Sequence, residues 1–295
     1  MDLQHYTDRS MFMNLQIGQT TIVNKFLNIF LRPEVYLLAF FISLSIHAST
    51  QVRIGVVDTG FCPNLLKKIN KNVTIHPVFD ATYSVKMNCK KIDQKHRRFH
   101  GQWVLQTFLE NLPNDVQIDL WPVIIFDFEA NQKSQYWVNA LAYLEKKRPD
   151  VILSAAGLPI HNTIPDQLKL INSNFFIASG RSGGPIKDTT KLFPHELAPH
   201  EKIFMIGSYY PPLNKDDYVF DDKLLYQEKI DYYFSQGPMG DQFVGTSRSV
   251  AEALGRSIQI CGDFFHQKSA LLRKCLEEKH RLIKTAYTNK ILKTF

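Results

Sequence analysis

Three side chains in the 295-residue chain have the chemistry for acyl transfer. Asp58 closes "VRIGVVD" and is followed by Thr-Gly, His100 opens "HGQWVLQTFLENL", and Ser247 lies in "GTSRSVAEALG". Such chemistry needs a hydroxyl, a base that takes its proton near neutral pH, and a carboxylate that fixes the base's tautomer. Asp, His and Ser in that chain order are one known arrangement. Each residue also has a plainer reading. Asp58 suits a turn, His100 is one of ten histidines, and Ser247 suits a helix N-cap, where its oxygen satisfies an orphan N–H. The cap and nucleophile readings are compatible, because a helix start offers a nucleophile a favourable dipole and a free N–H.

Positioning these groups falls to an alternation of strand-like and helix-like segments. "VRIGVVD", "IDLWPVIIF", "DVILSAAG", "NFFIASG" and "KIFMIGSYY" read as strands. The segments "HGQWVLQTFLENL", "SQYWVNALAYLEKKRPD" and "SRSVAEALGRSIQICGDFF" read as helices, and a C-terminal helix is expected over 269–292. Alternating elements with continuous apolar strands predict an α/β fold. It should have three layers, with a mostly parallel sheet covered by helices on both faces. Sites in such sheets gather at the carboxyl ends of strands. Asp58, Gly157 and Gly180 all fall at such ends.

Composition sets the outer bounds. The chain is 44% hydrophobic and carries a net charge of +7. Residues 267–295 hold eight Lys or Arg against two Glu, so most of the excess lies there and the body is nearly neutral. No nucleic-acid partner is expected, and the basic stretch reads as the solvated face of a terminal helix. The 12-residue apolar run Val35–Ile46 is shorter than the ~20 residues of a membrane span. With Lys25 and Arg32 before it and "HASTQ" after it, it reads as a secretory signal cleaved after about Ala48. Residues 1–48 are thus expected to be a signal peptide, and 49–295 the domain of a secreted or periplasmic protein. The rival reading keeps 1–48 as an uncleaved membrane anchor on a tethered interaction protein. Four cysteines allow two disulfides in three connectivities. Proximity in sequence suggests Cys62–Cys89 and Cys261–Cys275. No metal site is expected, since "HELAPH" (His195, His200) lacks His-Glu-x-x-His spacing.

Taken together, the short blocks resemble those of the subtilisin-like serine peptidases, the subtilase family. "IGVVDTG" is similar to the family's Asp block, "HGQWV" to its His-Gly-Thr-His-Val block, and "GTSRSVAEALG" to its Ser block. Between them, "DVILSAAG", "FFIASGRSGG", "LFPHELAPHEKIFMIGS" and "YFSQGP" resemble the intervening blocks in order, so the likeness spans roughly Val52 to Asp263. The resemblance implies a compact, monomeric endopeptidase that needs no cofactor and cuts peptide or protein substrates through an acyl-enzyme. Ser247 would be the nucleophile, His100 the base and then the acid, and Asp58 the orienting carboxylate. Ser154, Ala155, Gly157, Ser179 and Gly180 would lie in the substrate-binding strands.

The departures bear on the oxyanion hole. The family's oxyanion Asn is replaced by Arg181, leaving the Ser247 N–H as the other donor. Loss of such a donor costs about 2.7–4 kcal/mol of barrier. Either the guanidinium donates instead, or the chain is a catalytically impaired relative that binds peptides. Trp103 and Gln102 replace the second His and the Thr of the His block, Ala251 replaces a Pro, and the stretch between "FSQGP" and "GTS" is short.

Overall fold

The residue pattern of the first strand decides the centre of the fold. In β1 (Gln51–Asp58) the side chains of Val52, Ile54 and Val56 join one apolar core and Val57 joins another, and all four have no exposure. Such a strand must be covered on both faces. A computed structural model describes residues 51–66, 72–84, 89, 99–160, 163–169, 172–182, 190–211, 218–238, 240–285 and 290–295. The expected leader (1–48) and its apolar run therefore lie outside the described residues. Among those described, no helix is long and apolar enough to cross a membrane.

β1 pairs in parallel with β4 (Gln117–Ile124) on one side and β5 (Val151–Ser154) on the other. Beyond β5 come β7 (Asn174–Ala178) and β9 (Ile203–Tyr210), also parallel. β9 also carries β11 (Tyr232–Ser235) in parallel and β10 (Val219–Phe220) antiparallel. On the far side, β2 (Val73–Ile75) and β3 (Phe79–Asp80) pair with successive parts of β4, completing a nine-stranded sheet. Pro122 falls in the gap between these two pairings, where a missing N–H disrupts nothing. A small antiparallel pair, β6 (Leu158–Ile160) with β8 (Lys191–Phe193), stands apart from the main sheet.

Helices cover both faces, giving the three-layer α/β fold that the sequence predicts. α1 (His100–Glu110), α4 (Thr246–Cys261) and α5 (Ser269–Lys279) pack on the face of Ile54 and Val56. α2 (Ser134–Lys147) and α3 (Asp166–Lys169) pack on the face of Val57. Disulfide bonds join Cys62 to Cys89 and Cys261 to Cys275, with Cα–Cα distances of 5.7 and 6.1 Å. The second ties α4 to α5.

The C-terminal segment departs from the single helix expected over 269–292. α5 stops at Lys279, and the chain continues as an antiparallel hairpin of β12 (Arg281–Lys284) and β13 (Ile291–Thr294). The reason is a change of period. Ile283, Leu292 and Thr294 are buried while Leu282, Ile291 and Lys293 are exposed, an alternation that fits a strand and not a helix.

α1 and α4 set the spacing of the prospective site. Gly255, in α4, lies against the end of α1. A Cβ there would come within 2.7 Å of Asn111 Cβ and 3.0 Å of its backbone. Near their other ends, Phe243 just before α4 meets His100 at the start of α1. The helices thus run in the same sense, with both N-termini at the carboxyl edge of the sheet. Gly255→Ala is expected to destabilise the fold by about 1–3 kcal/mol, because backbone must move. Gly262→Ala, with helical dihedrals and nothing within 4 Å, is expected to be neutral or to stabilise by about 0.4–1 kcal/mol. Urea denaturation of both variants checks the contrast.

Candidate active site

Asp58 ends β1 at the point where the chain order of the sheet diverges. β4 lies to one side of β1 and β5 to the other. Crevices outside the carboxyl ends of strands at such points are where α/β sheets bind ligands. The Asp58 side chain is fully buried. Its Oδ1 accepts the Thr59 N–H at 2.7 Å, and His100 Nδ1 lies 2.8 Å from Oδ1 and 3.0 Å from Oδ2. A carboxylate only accepts, so Nδ1 carries the proton and Nε2 of neutral His100 is the free base. Burial opposes protonation of His100, but the charge and hydrogen bond of Asp58 outweigh it, so its pKa lies above the ordinary imidazole value.

Close approach of α1 to β1 makes this pair possible. Gly101 lies over Asp58, where a Cβ would sit 2.9 Å from Asp58 Cβ and 3.0 Å from the Gly60 carbonyl. Its N–H donates to Thr59 Oγ1 at 3.1 Å, and Cys62 N–H donates to Gln102 Oε1 at 2.8 Å. The turn after Asp58 is therefore fastened to the helix that carries His100, and the Cys62–Cys89 disulfide fastens the same turn again.

Ser247 occupies the first turn of α4, after Gly245 at φ +100°, a backbone conformation that favours glycine. Thr246 is buried and Ser247 is half-buried. Among the described residues Ser247 Oγ has no hydrogen-bond partner and the Ser247 N–H no acceptor, so both are available at a helix N-terminus. The structure brings the Ser247 loop to His100 through Phe243, whose ring stands edge-on to the imidazole at 5.6 Å and lies 5.8 Å from Trp103. The spacing of apolar residues gave no sign of this contact, since Phe243 precedes the helix whose pattern was legible.

Arg181 is held elsewhere. Its Nη2 donates to Tyr210 Oη at 2.8 Å and to Asp221 Oδ1 at 3.2 Å. Its Nε lies 2.7 Å from Asp221 Oδ2, within ion-pair distance but off the line of a hydrogen bond. Asp221 is fully buried and also accepts from Ser208 Oγ and the Lys223 N–H. The guanidinium thus reaches toward β9 and β10, on the opposite side of β7 from β1 and Asp58. Nothing near Asp221 in sequence marks it as the partner of Arg181.

The expected substrate strands are brought together only in part. Ser154 and Ile177 are paired across β5 and β7, and beyond them Ala155 and Gly157 are half-buried. Ser154 is fully buried, and its Oγ donates to the Ala156 carbonyl. Gly157 O accepts from Gln132 Nε2. Ser179 is buried, and Gly180 O is already taken by the Leu225 N–H at 3.1 Å, so this edge is partly occupied by the chain itself. His195 lies where β5 and β7 part. Its Nε2 bonds the Ala178 carbonyl at 2.7 Å, and burial pushes its pKa down to about 4. His200 Nδ1 accepts the Lys202 N–H, and among the described residues no cluster of three or more His, Cys, Asp or Glu could hold a metal.

No protein-family model matches the chain, and a search of curated proteins finds no match.

The Arg181–Asp221 pair gives a direct test of its structural weight. Arg181→Ala leaves a buried carboxylate short of its cation and is expected to cost about 2–4 kcal/mol, reduced from a fully buried pair because the guanidinium is partly exposed. Asp221→Asn in the same chain should recover part of that loss in chemical denaturation.

Proposed function

We propose that this chain is a serine peptidase of the subtilisin-like kind, with Asp58, His100 and Ser247 as its catalytic residues. The observation that carries the reading is the buried Asp58 carboxylate bonded to His100 Nδ1, at the carboxyl end of the central strand. That bond leaves Nε2 unprotonated and able to take the Ser247 proton. Ser247 attacks the scissile carbonyl, and His100 then delivers the proton to the leaving amine. The Ser247 N–H and the N-terminus of α4 stabilise the oxyanion. The ordered likeness of seven sequence blocks to that family supports the same assignment. The substrate is a peptide or protein, bound in extended form against the chain beyond β5.

A second reading is favoured by one observation. The Arg181 guanidinium is engaged by Asp221 and Tyr210, which limits what it offers an oxyanion. A peptide-binding protein with weak turnover would result.

A fluorophosphonate probe separates the two. The peptidase reading expects one adduct, on Ser247, lost in Ser247→Ala and slowed about 10³–10⁴-fold in Asp58→Asn. The labelling rate should rise with pH as His100 loses its proton, at a pH above that of an ordinary imidazole, because Asp58 holds the proton on. Folded protein that takes no label supports the binding reading.

A further inference from the structure

Arg248 directly follows Ser247, yet neither reading above uses it. Its side chain folds back under the loop that leads into α4. Nη1 donates to Asp241 Oδ2 at 3.0 Å and to the Phe243 carbonyl at 3.3 Å. The loop is closed at its base by the Gly245 N–H donating to Gln236 O at 2.9 Å. The Arg248 stem runs tight against Gly237, which has φ +99°. A Cβ on Gly237 would sit 2.6 Å from Arg248 Cδ, so the backbone at Gly237 lies directly against this side chain. The carbonyl that Arg248 holds belongs to the residue whose ring stands against His100.

We propose that Arg248 is a positioning residue: by holding Asp241 and the Phe243 carbonyl it clamps the segment before α4, so that Phe243 packs on His100 and keeps the imidazole in its pairing with Asp58. The catalytic consequence rests on His100 being the base, whereas the mechanical link does not. The charged groups on this path are Asp58 on β1 and the Arg248–Asp241 pair on the loop; Phe243 and Trp103 contribute apolar surface. Each alone is a modest contact. In series they carry the position of one side chain to another, and a misplacement of about 1 Å in such a site can cost about 100-fold in rate.

A double-mutant cycle tests the link. Arg248→Ala, Phe243→Ala and the double variant are compared by NMR titration of the His100 Cε1–H and by fluorophosphonate labelling of Ser247. Loosening Phe243 lets the imidazole leave its pairing with Asp58, and since that partner is what holds the pKa up, both single variants should move the titration downward, toward the ordinary imidazole value. Each should slow labelling about tenfold or more, with the double variant no worse than either single one. Arg248→Lys, which keeps a cation within reach of Asp241, should recover most of the rate. If Arg248→Ala does not fold, Arg248→Met keeps the apolar stem in the loop and carries the same comparison. Additive effects, or a His100 titration unmoved by the Arg248 change, would overturn the clamp. Wild-type protein that takes no label but shows the coupled titration would contradict the peptidase reading and leave the clamp standing. Labelling with additive effects would contradict the clamp alone.

Discussion

A carboxylate without solvent exposure at the end of a buried strand must be compensated by its neighbours, because a buried, unpaired charge is costly. At Asp58 the compensation comes from the Thr59 N–H and from His100, and the second partner lies on a different element. Much of the local structure follows from bringing that element close. Gly101 lets α1 approach β1 without a side chain in the way, and Thr59 and Gln102 fasten the turn to the helix. On the other side, α4 is drawn against α1 at Gly255, which brings the first turn of α4 to the same edge of the sheet.

Two opposing effects meet at His100. Desolvation favours the neutral ring, and the Asp58 charge and hydrogen bond favour the cation; the second prevails. By linkage, the folded state then gains from this group at low pH. The gain is fully present below the imidazole's unfolded pKa and is lost as pH rises through its raised folded value. His195 has the opposite sign. It is buried against Ala178 and held near pKa 4, so its contribution is present above the ordinary imidazole value and fades as pH falls toward 4. His100 is tuned toward protonation by a charge partner, while His195, near the β5–β7 crevice, is kept neutral by burial.

The core of the fold was legible because buried parallel strands leave continuous apolar runs, and β1, β4, β5, β7 and β9 all fall on such runs. The short strands β2, β3 and β10 have two or three residues each and leave too little pattern to read. The hairpin after α5 was hidden because its apolar residues also fit a helical stripe, and only burial shows the alternation. At the site, Asp58, His100 and Ser247 announced themselves by residue type beside Gly and by position at element ends. Arg181 was legible only as a departure. Its partner Asp221 lies 40 positions away, and a tertiary ion pair of that kind leaves no local signal. Arg248 and Phe243 were masked in the same way, by the stronger signature of the serine between them.

The central claim is that His100, held by Asp58, delivers Ser247 as a nucleophile. Rapid acid quench of the protein with an activated ester, followed by peptide mass spectrometry, tests it most directly. The account predicts an acyl group on Ser247 that accumulates toward one per chain and then turns over, and that is missing in Ser247→Ala. Ester hydrolysis at the same rate in Ser247→Ala, or an acyl group on another residue, would contradict it.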